Sequence, residues 1–143
     1  MIYVCSLPDP LLTIVRLEGY VSREAVVTFL ELCLQPAQVG LGGDTLVDLR
    51  GLENTHGYED VSRFGDMLSR QQRDWKSYRI ALLVDRDVIF GVGRMFDLIL
   101  SARTEAKVGT FRTLNDAGVW LERPLEALLA ELTAEDWVAY SPV

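Results

Sequence analysis

The chain has 143 residues, 49% hydrophobic and 24% charged, with a net charge of −7. That length holds one domain with a real core and is too short for two ordinary ones. The acidic balance argues against nucleic-acid and anionic-membrane surfaces, which call for a basic stripe, and no apolar run approaches the roughly 18 residues of a membrane span.

No basic region followed by an apolar one opens the chain, so no signal peptide is read and a cytoplasmic protein is expected. Cys5 and Cys33 lie inside apolar segments and read as buried free thiols. One histidine and no Cys-x-x-Cys leave no structural zinc site. No cofactor, metal or catalytic set is assigned.

Ile2–Cys5 and Leu12–Val21 read as two strands joined by a turn at Pro8-Asp9-Pro10, giving an antiparallel hairpin. Val15, Leu17 and Gly19 share one face, while Arg16 and Glu18 share the other, which suggests one-sided burial. Ser22 suits an N-cap for a helix whose Val26, Phe29, Leu30 and Cys33 repeat at helical spacing. Gln35-Pro36 stops that helix, and Gly40-Leu41-Gly42-Gly43 is a turn.

Thr45–Arg50 is the third strand. A helix follows from around Gly57, with Glu59 and Asp60 in its first turn and Val61, Phe64, Leu68 and Trp75 inward. Arg79–Asp85 is apolar on both faces, as a central parallel strand should be. Asp87 is expected to cap the next helix, with Val92, Met95, Phe96 and Ile99 inward. Lys107–Arg112 is a fifth strand, and Thr113, with Asp116 three residues on, caps a helix carrying Ala117, Trp120 and Leu121. Pro124 opens a last helix with Leu125, Leu128, Leu129 and Leu132 on one face. After the hairpin, strand and helix alternate, so right-handed crossovers and a mostly parallel sheet are expected.

Several segments together resemble a known family: Leu46-Val47-Asp48-Leu49-Arg50, Arg79–Asp85, Gly93-Arg94-Met95-Phe96, Val108-Gly109-Thr110-Phe111-Arg112 and the Leu114–Leu121 helix. They are similar to the SpoIIAA-like, or STAS-like, domains of bacteria, which are related to anti-sigma factor antagonists. The likeness covers about residues 2–122. It implies an α/β fold, a singly wound βα superhelix with a five-stranded, mostly parallel sheet and helices mainly on one face. It also implies a non-enzymatic regulatory or protein-interaction module. Phosphorylated antagonists carry an Asp-Ser-Ser/Thr-Gly run where this chain reads Glu53-Asn54-Thr55-His56-Gly57-Tyr58, so the phospho-switch is not carried over.

Candidate chemistry gathers at the carboxyl ends of the strands, where open α/β sheets place their ligands. Asp48, Arg50, Asp85 and Arg86 converge there, as a small polar ligand site or as salt bridges that bring buried strands to water. Thr55, His56, Tyr58 and Ser62 open the following helix, and Arg94 reaches out from the next one. Gly91-Val92-Gly93 lies within a helical pattern and reads as close packing rather than a phosphate loop.

Two alternatives to the interaction module stand. One is a binding or sensor domain for a small hydrophobic or anionic ligand, with a cavity bordered by Phe64, Phe90 and Phe96. The other is an enzyme using His56 with Thr55 or Ser62 as nucleophile. If all crossover helices share one face, the other face needs cover. The 124–143 segment supplies it, or a homodimer does, through the sheet face or through Leu125, Leu128, Leu129, Leu132 and Trp137. No nucleic-acid partner and no membrane insertion are expected.

Overall fold

Strands that are apolar on both sides dictate the architecture. In the computed structural model, which describes residues 1–8, 11–34, 43–71 and 75–140, six strands form one sheet in the order β5-β4-β3-β2-β1-β6. β1 (Ile2–Pro8) and β2 (Leu11–Leu17) make the antiparallel hairpin, with Val4 opposite Val15. The expected Asp9-Pro10 turn lies outside the described residues. β3 (Asp44–Asp48), β4 (Arg79–Leu83) and β5 (Lys107–Phe111) then add in parallel, one beside the next.

Three helices link these parallel strands: α1 (Arg23–Cys33), α2 (Tyr58–Ser69) and α3 (Asp87–Arg103). Each link steps to the adjacent strand in the same direction. Crossovers of one hand therefore place all three helices on the same face. Local signals set their starts. Ser22 Oγ accepts from the Ala25 amide at 3.1 Å, and Gly57 precedes α2 with Glu59 and Asp60 in its first turn. Asp87 is not the cap of α3: Arg86 holds that position and Asp87 is the first helical residue, where a carboxylate still favours the dipole. The predicted stop at Gln35-Pro36 and the glycines at 40–42 lie outside the described residues. Gly43 is described, with φ +74°, and a Cβ there would sit 2.5 Å from the Leu11 carbonyl. That position requires glycine.

Close packing fixes the two later helices of this layer. A Cβ on Gly93 would lie 2.8 Å from Thr110 Cγ2 on β5, and one on Gly65 would lie 2.6 Å from Ile99 Cγ2 on α3. Gly93 thus does what its place in a helical pattern suggested.

The second face is covered by the chain itself. α4 (Leu114–Leu121), capped by Thr113 through a 3.1 Å bond from the Asp116 amide, crosses to that side, and α5 (Leu125–Ala130) follows. Ala117, Leu121 and Leu125 bury Cys5, Leu12, Ile14, Leu46, Ala81 and Leu83. Burial in β2 is therefore two-sided: Leu12 and Ile14 point to this second core, and Val15 to the first. Leu128, Leu129, Leu132 and Trp137 pack against the same cluster. The apolar residues offered as a dimer surface are thus already used within the chain. Cys5 and Cys33 belong to opposite cores and are free thiols.

The sheet has one strand more than expected. After a 3₁₀ turn (Ala134–Asp136) with a reciprocal Thr133–Asp136 capping box, β6 (Val138–Tyr140) pairs antiparallel with β1. Tyr140 meets Phe29 edge to face at 5.6 Å, so the tail closes the hairpin edge and also touches the first core. Among the described residues, no helix is long and apolar enough to cross a membrane.

Leu125, 1% exposed, ties the C-terminal segment to the second face. Leu125→Ala should destabilise the protein by about 2–5 kcal/mol, the usual cost of truncating a buried leucine. Urea unfolding followed by circular dichroism reads this, and light scattering should give the same mass for variant and wild type.

Candidate functional site

The loop from β3 to α2 is built before it is decorated. The Leu49 amide donates to the Leu83 carbonyl at 2.9 Å, extending β3 beside β4. Gly19 and Leu52 then form a parallel bridge, with the Gly19 amide to the Gly51 carbonyl and the Glu53 amide to the Gly19 carbonyl, both 2.9 Å. Asn54 completes the clamp: its Oδ1 accepts from the Val21 amide and its Nδ2 donates to the Val21 carbonyl, each at 2.9 Å. Leu52 is buried beneath. The chain is thereby pinned to the segment that follows β2, and the next side chain of consequence, His56, is turned inward with only 9% of its surface exposed.

His56 lines a cavity of about 160 Å³ between α1, α2, α3 and the first face of the sheet. Its walls are almost wholly apolar. Phe29 and Leu30 come from α1, Val61 and Phe64 from α2, Val92 and Phe96 from α3, and Val47 and Leu82 from the sheet. Phe64 and Phe96 border it as expected. Phe90 does not; it lies under the Arg112 guanidinium, 4.7 Å from the ring centre.

Two polar atoms interrupt this lining. Thr45 Oγ1 and His56 Nε2 are both buried and both lack a hydrogen-bond partner in the structure. The other edge of the imidazole faces a carboxylate: Nδ1 stands 3.9 Å from Asp60 Oδ2. Phe64 meets it edge to face at 5.3 Å. Burial pushes the imidazole below its ordinary value, while Asp60 and the Val21 carbonyl pull more weakly the other way.

The charged rim is arranged differently. Asp48, 3% exposed, takes the Arg50 guanidinium in a two-point bond, Nε to Oδ1 and Nη2 to Oδ2, both 3.0 Å, and also accepts from the Arg50 amide. Arg16 approaches the same carboxylate at 3.5 Å while lying over the Trp137 ring. That carboxylate holds the Arg50 guanidinium above its usual value, with a smaller contribution from Asp85. Arg86 pairs with Asp85 at 3.6 Å and donates to the Leu52 carbonyl, so it secures the same loop. Thr55 is exposed yet lines the cavity beside His56. Ser62 is half-buried, and Tyr58 and Arg94 are exposed.

Thr45, Asn54 and the α1 wall were absent from the sequence-based set. Thr45 left a faint signal as a hydroxyl on the face of β3 that otherwise carries Val47 and Leu49. Asn54 left none, because its partner is 33 residues away.

No family model matches the chain, and no curated protein matches it by sequence. Among solved structures it is similar to an uncharacterised protein of the DUF3478 family with a SpoIIAA-like fold from Shewanella loihica PV-4. The TM-score is 0.53 at 18% identity, over 85% of this chain and 92% of that one. The fold is SpoIIAA-like. The expected fold class stands, with six strands in place of five. The three long helices share one face of this SpoIIAA-like sheet, and the two short ones cover the other.

The buried imidazole gives stability a pH dependence of known sign. Its folded value lies below the unfolded one, so the unfolded chain binds more protons, and stability is lost as pH falls below about 6.5. Thermal scans from pH 7.5 to 5 should show a steeper fall in Tm for the wild type than for His56→Gln. Parallel curves would mean that His56 is solvated in the folded state.

Proposed function

We propose that this protein is a non-enzymatic binding module that encloses one small, mostly apolar molecule between α1–α3 and the sheet. The observation that carries this reading is the cavity with its two unpartnered polar atoms. Its size favours a single ring: a cavity of about 150 Å³ lined by aliphatic and aromatic side chains takes up benzene. Its lining favours a ligand of one or two polar groups on an apolar body, the usual composition of small-molecule sites.

The enzyme reading has less support. A general base needs a proton to take within about 3.2 Å and a group that orients it. Asp60 at 3.9 Å is beyond that reach. The charged rim also serves the backbone, since Asp48 holds Arg50 and Arg86 holds the Leu52 carbonyl.

A regulatory role through protein partners is the second reading. What favours it is exposure at the sheet's carboxyl end, where Tyr20 is 70%, Tyr58 65% and Val88 56% exposed. Tyr58 follows His56 by two residues, so an occupant of the cavity and a partner on the rim would meet through one short segment. The two readings are compatible, a sensor being a module that does both.

Toluene tests the cavity directly. At ten times its Kd it should raise the unfolding free energy by about 1.4 kcal/mol, by mass action on the folded state. Val47→Phe, which places a ring in the cavity, should keep the circular dichroism spectrum and abolish that gain. No stabilisation of the wild type at saturating toluene or phenol would overturn the reading.

A further inference from the structure

His56 restricts what the occupant can be. Its Nε2 has no partner, and its Nδ1 faces the Asp60 carboxylate at 3.9 Å, whose negative charge favours the ring proton on that nitrogen. A neutral imidazole with its proton there presents a lone pair at Nε2. The side chain is more than nine-tenths buried and forms part of the cavity wall, and its Nδ1 edge is turned away toward Asp60. We propose that His56 Nε2 accepts a hydrogen bond from a neutral hydroxyl or N–H group on the occupant, so that the cavity takes phenol- or alcohol-class molecules rather than carboxylates or bare hydrocarbons.

This rests on the binding reading above and narrows it to a ligand class. A hydrocarbon would leave Nε2 buried and unsatisfied, a standing cost that a donor removes. A carboxylate would bring an unpaired anion into an apolar space, opposite a lone pair and with Asp60 on the far side of the ring. Arg23 offers it no help, because that guanidinium already faces Asp60 at 3.4 Å. Thr45 lies at the start of β3, three residues and about 10 Å of strand from the end that carries Asp48 and the clamped loop. Its hydroxyl both donates and accepts, so it selects for neither. The donor preference belongs to His56.

Calorimetric titration of the full chain at pH 7.5 with toluene, phenol and benzoate tests this. In a cavity without an acceptor, phenol binds more weakly than toluene, since its hydroxyl gives up water for nothing. Here phenol should bind more tightly than toluene, and benzoate should not bind. His56→Leu should shift the phenol-to-toluene preference about tenfold toward toluene, the worth of one buried hydrogen bond. Thr45→Val should leave the preference where it is. Because the chain has one histidine, the ¹⁵N resonance of its Nε2 is unambiguous and should move on adding phenol and stay still with toluene. That measurement needs no variant to fold. Toluene binding with phenol weaker in wild type and His56→Leu alike would overturn the ligand class while leaving the cavity reading intact, and a still Nε2 resonance at saturating phenol would do the same. Failure of toluene and phenol alike to bind would remove both.

Discussion

The structure turns on a sheet that must be dry on both sides. Leu46, Ala81 and Leu83 point one way, and Val15, Ile80 and Leu82 the other, and all are nearly inaccessible. One layer of crossover helices can satisfy only half of this. The chain meets the other half by sending α4 and α5 to the far side after β5, so the segment 114–137 is a structural necessity rather than an appendage. Arg79, Asp44 and Arg123 fasten the two regions: Asp44 accepts from the Arg79 amide at 2.8 Å and pairs with Arg123 at 3.0 Å, and Arg123 also donates to the Leu11 carbonyl. A largely buried ion pair earns its place only when its remaining lone pairs and protons are used, as they are here.

The first face is packed unevenly. Gly93 brings α3 onto β5 and Gly65 brings α2 onto α3, each by a contact that a methyl group would block. No such device draws the helices into the space between Phe29, Val47 and Phe64. Val47 and Val92 line that space, and a larger side chain at either position would fill it.

Much of the fold was legible because its signals are local. Ser22 and Thr113 announce helix starts by side chains that reach only three residues ahead, and the doubly apolar run at 79–84 announces a central strand. What escaped was decided at a distance. β6 is three residues long, and its order comes from pairing with β1, more than 130 residues away. The cap of α3 falls at Arg86, which no propensity favours and whose side chain makes no cap bond but reaches the Leu52 carbonyl instead. The second-face cover followed from counting apolar faces, but whether the chain or a second copy supplied it did not. At the site, His56 stood out by being alone. That it points inward is a consequence of the Asn54–Val21 clamp, which joins residues 33 apart and leaves no periodicity to read.

The clamp also explains why one loop carries so many of the candidate residues. Leu52 is held by Gly19 and by Arg86, Asn54 by Val21, and Gly57 starts α2. Only Thr55 and His56 lie between two fixed points, one exposed and one buried. A displacement of His56 by an occupant has little room to dissipate within the loop, since one end is anchored to the segment after β2 and to the α3 start and the other runs into α2. It would be passed to the first turn of α2, where Tyr58 faces solvent and Asp60 faces the imidazole. At the rim Asp48 is paired with Arg50 and Asp85 with Arg86, and Arg86 also bonds the Leu52 carbonyl, which keeps these anchors still.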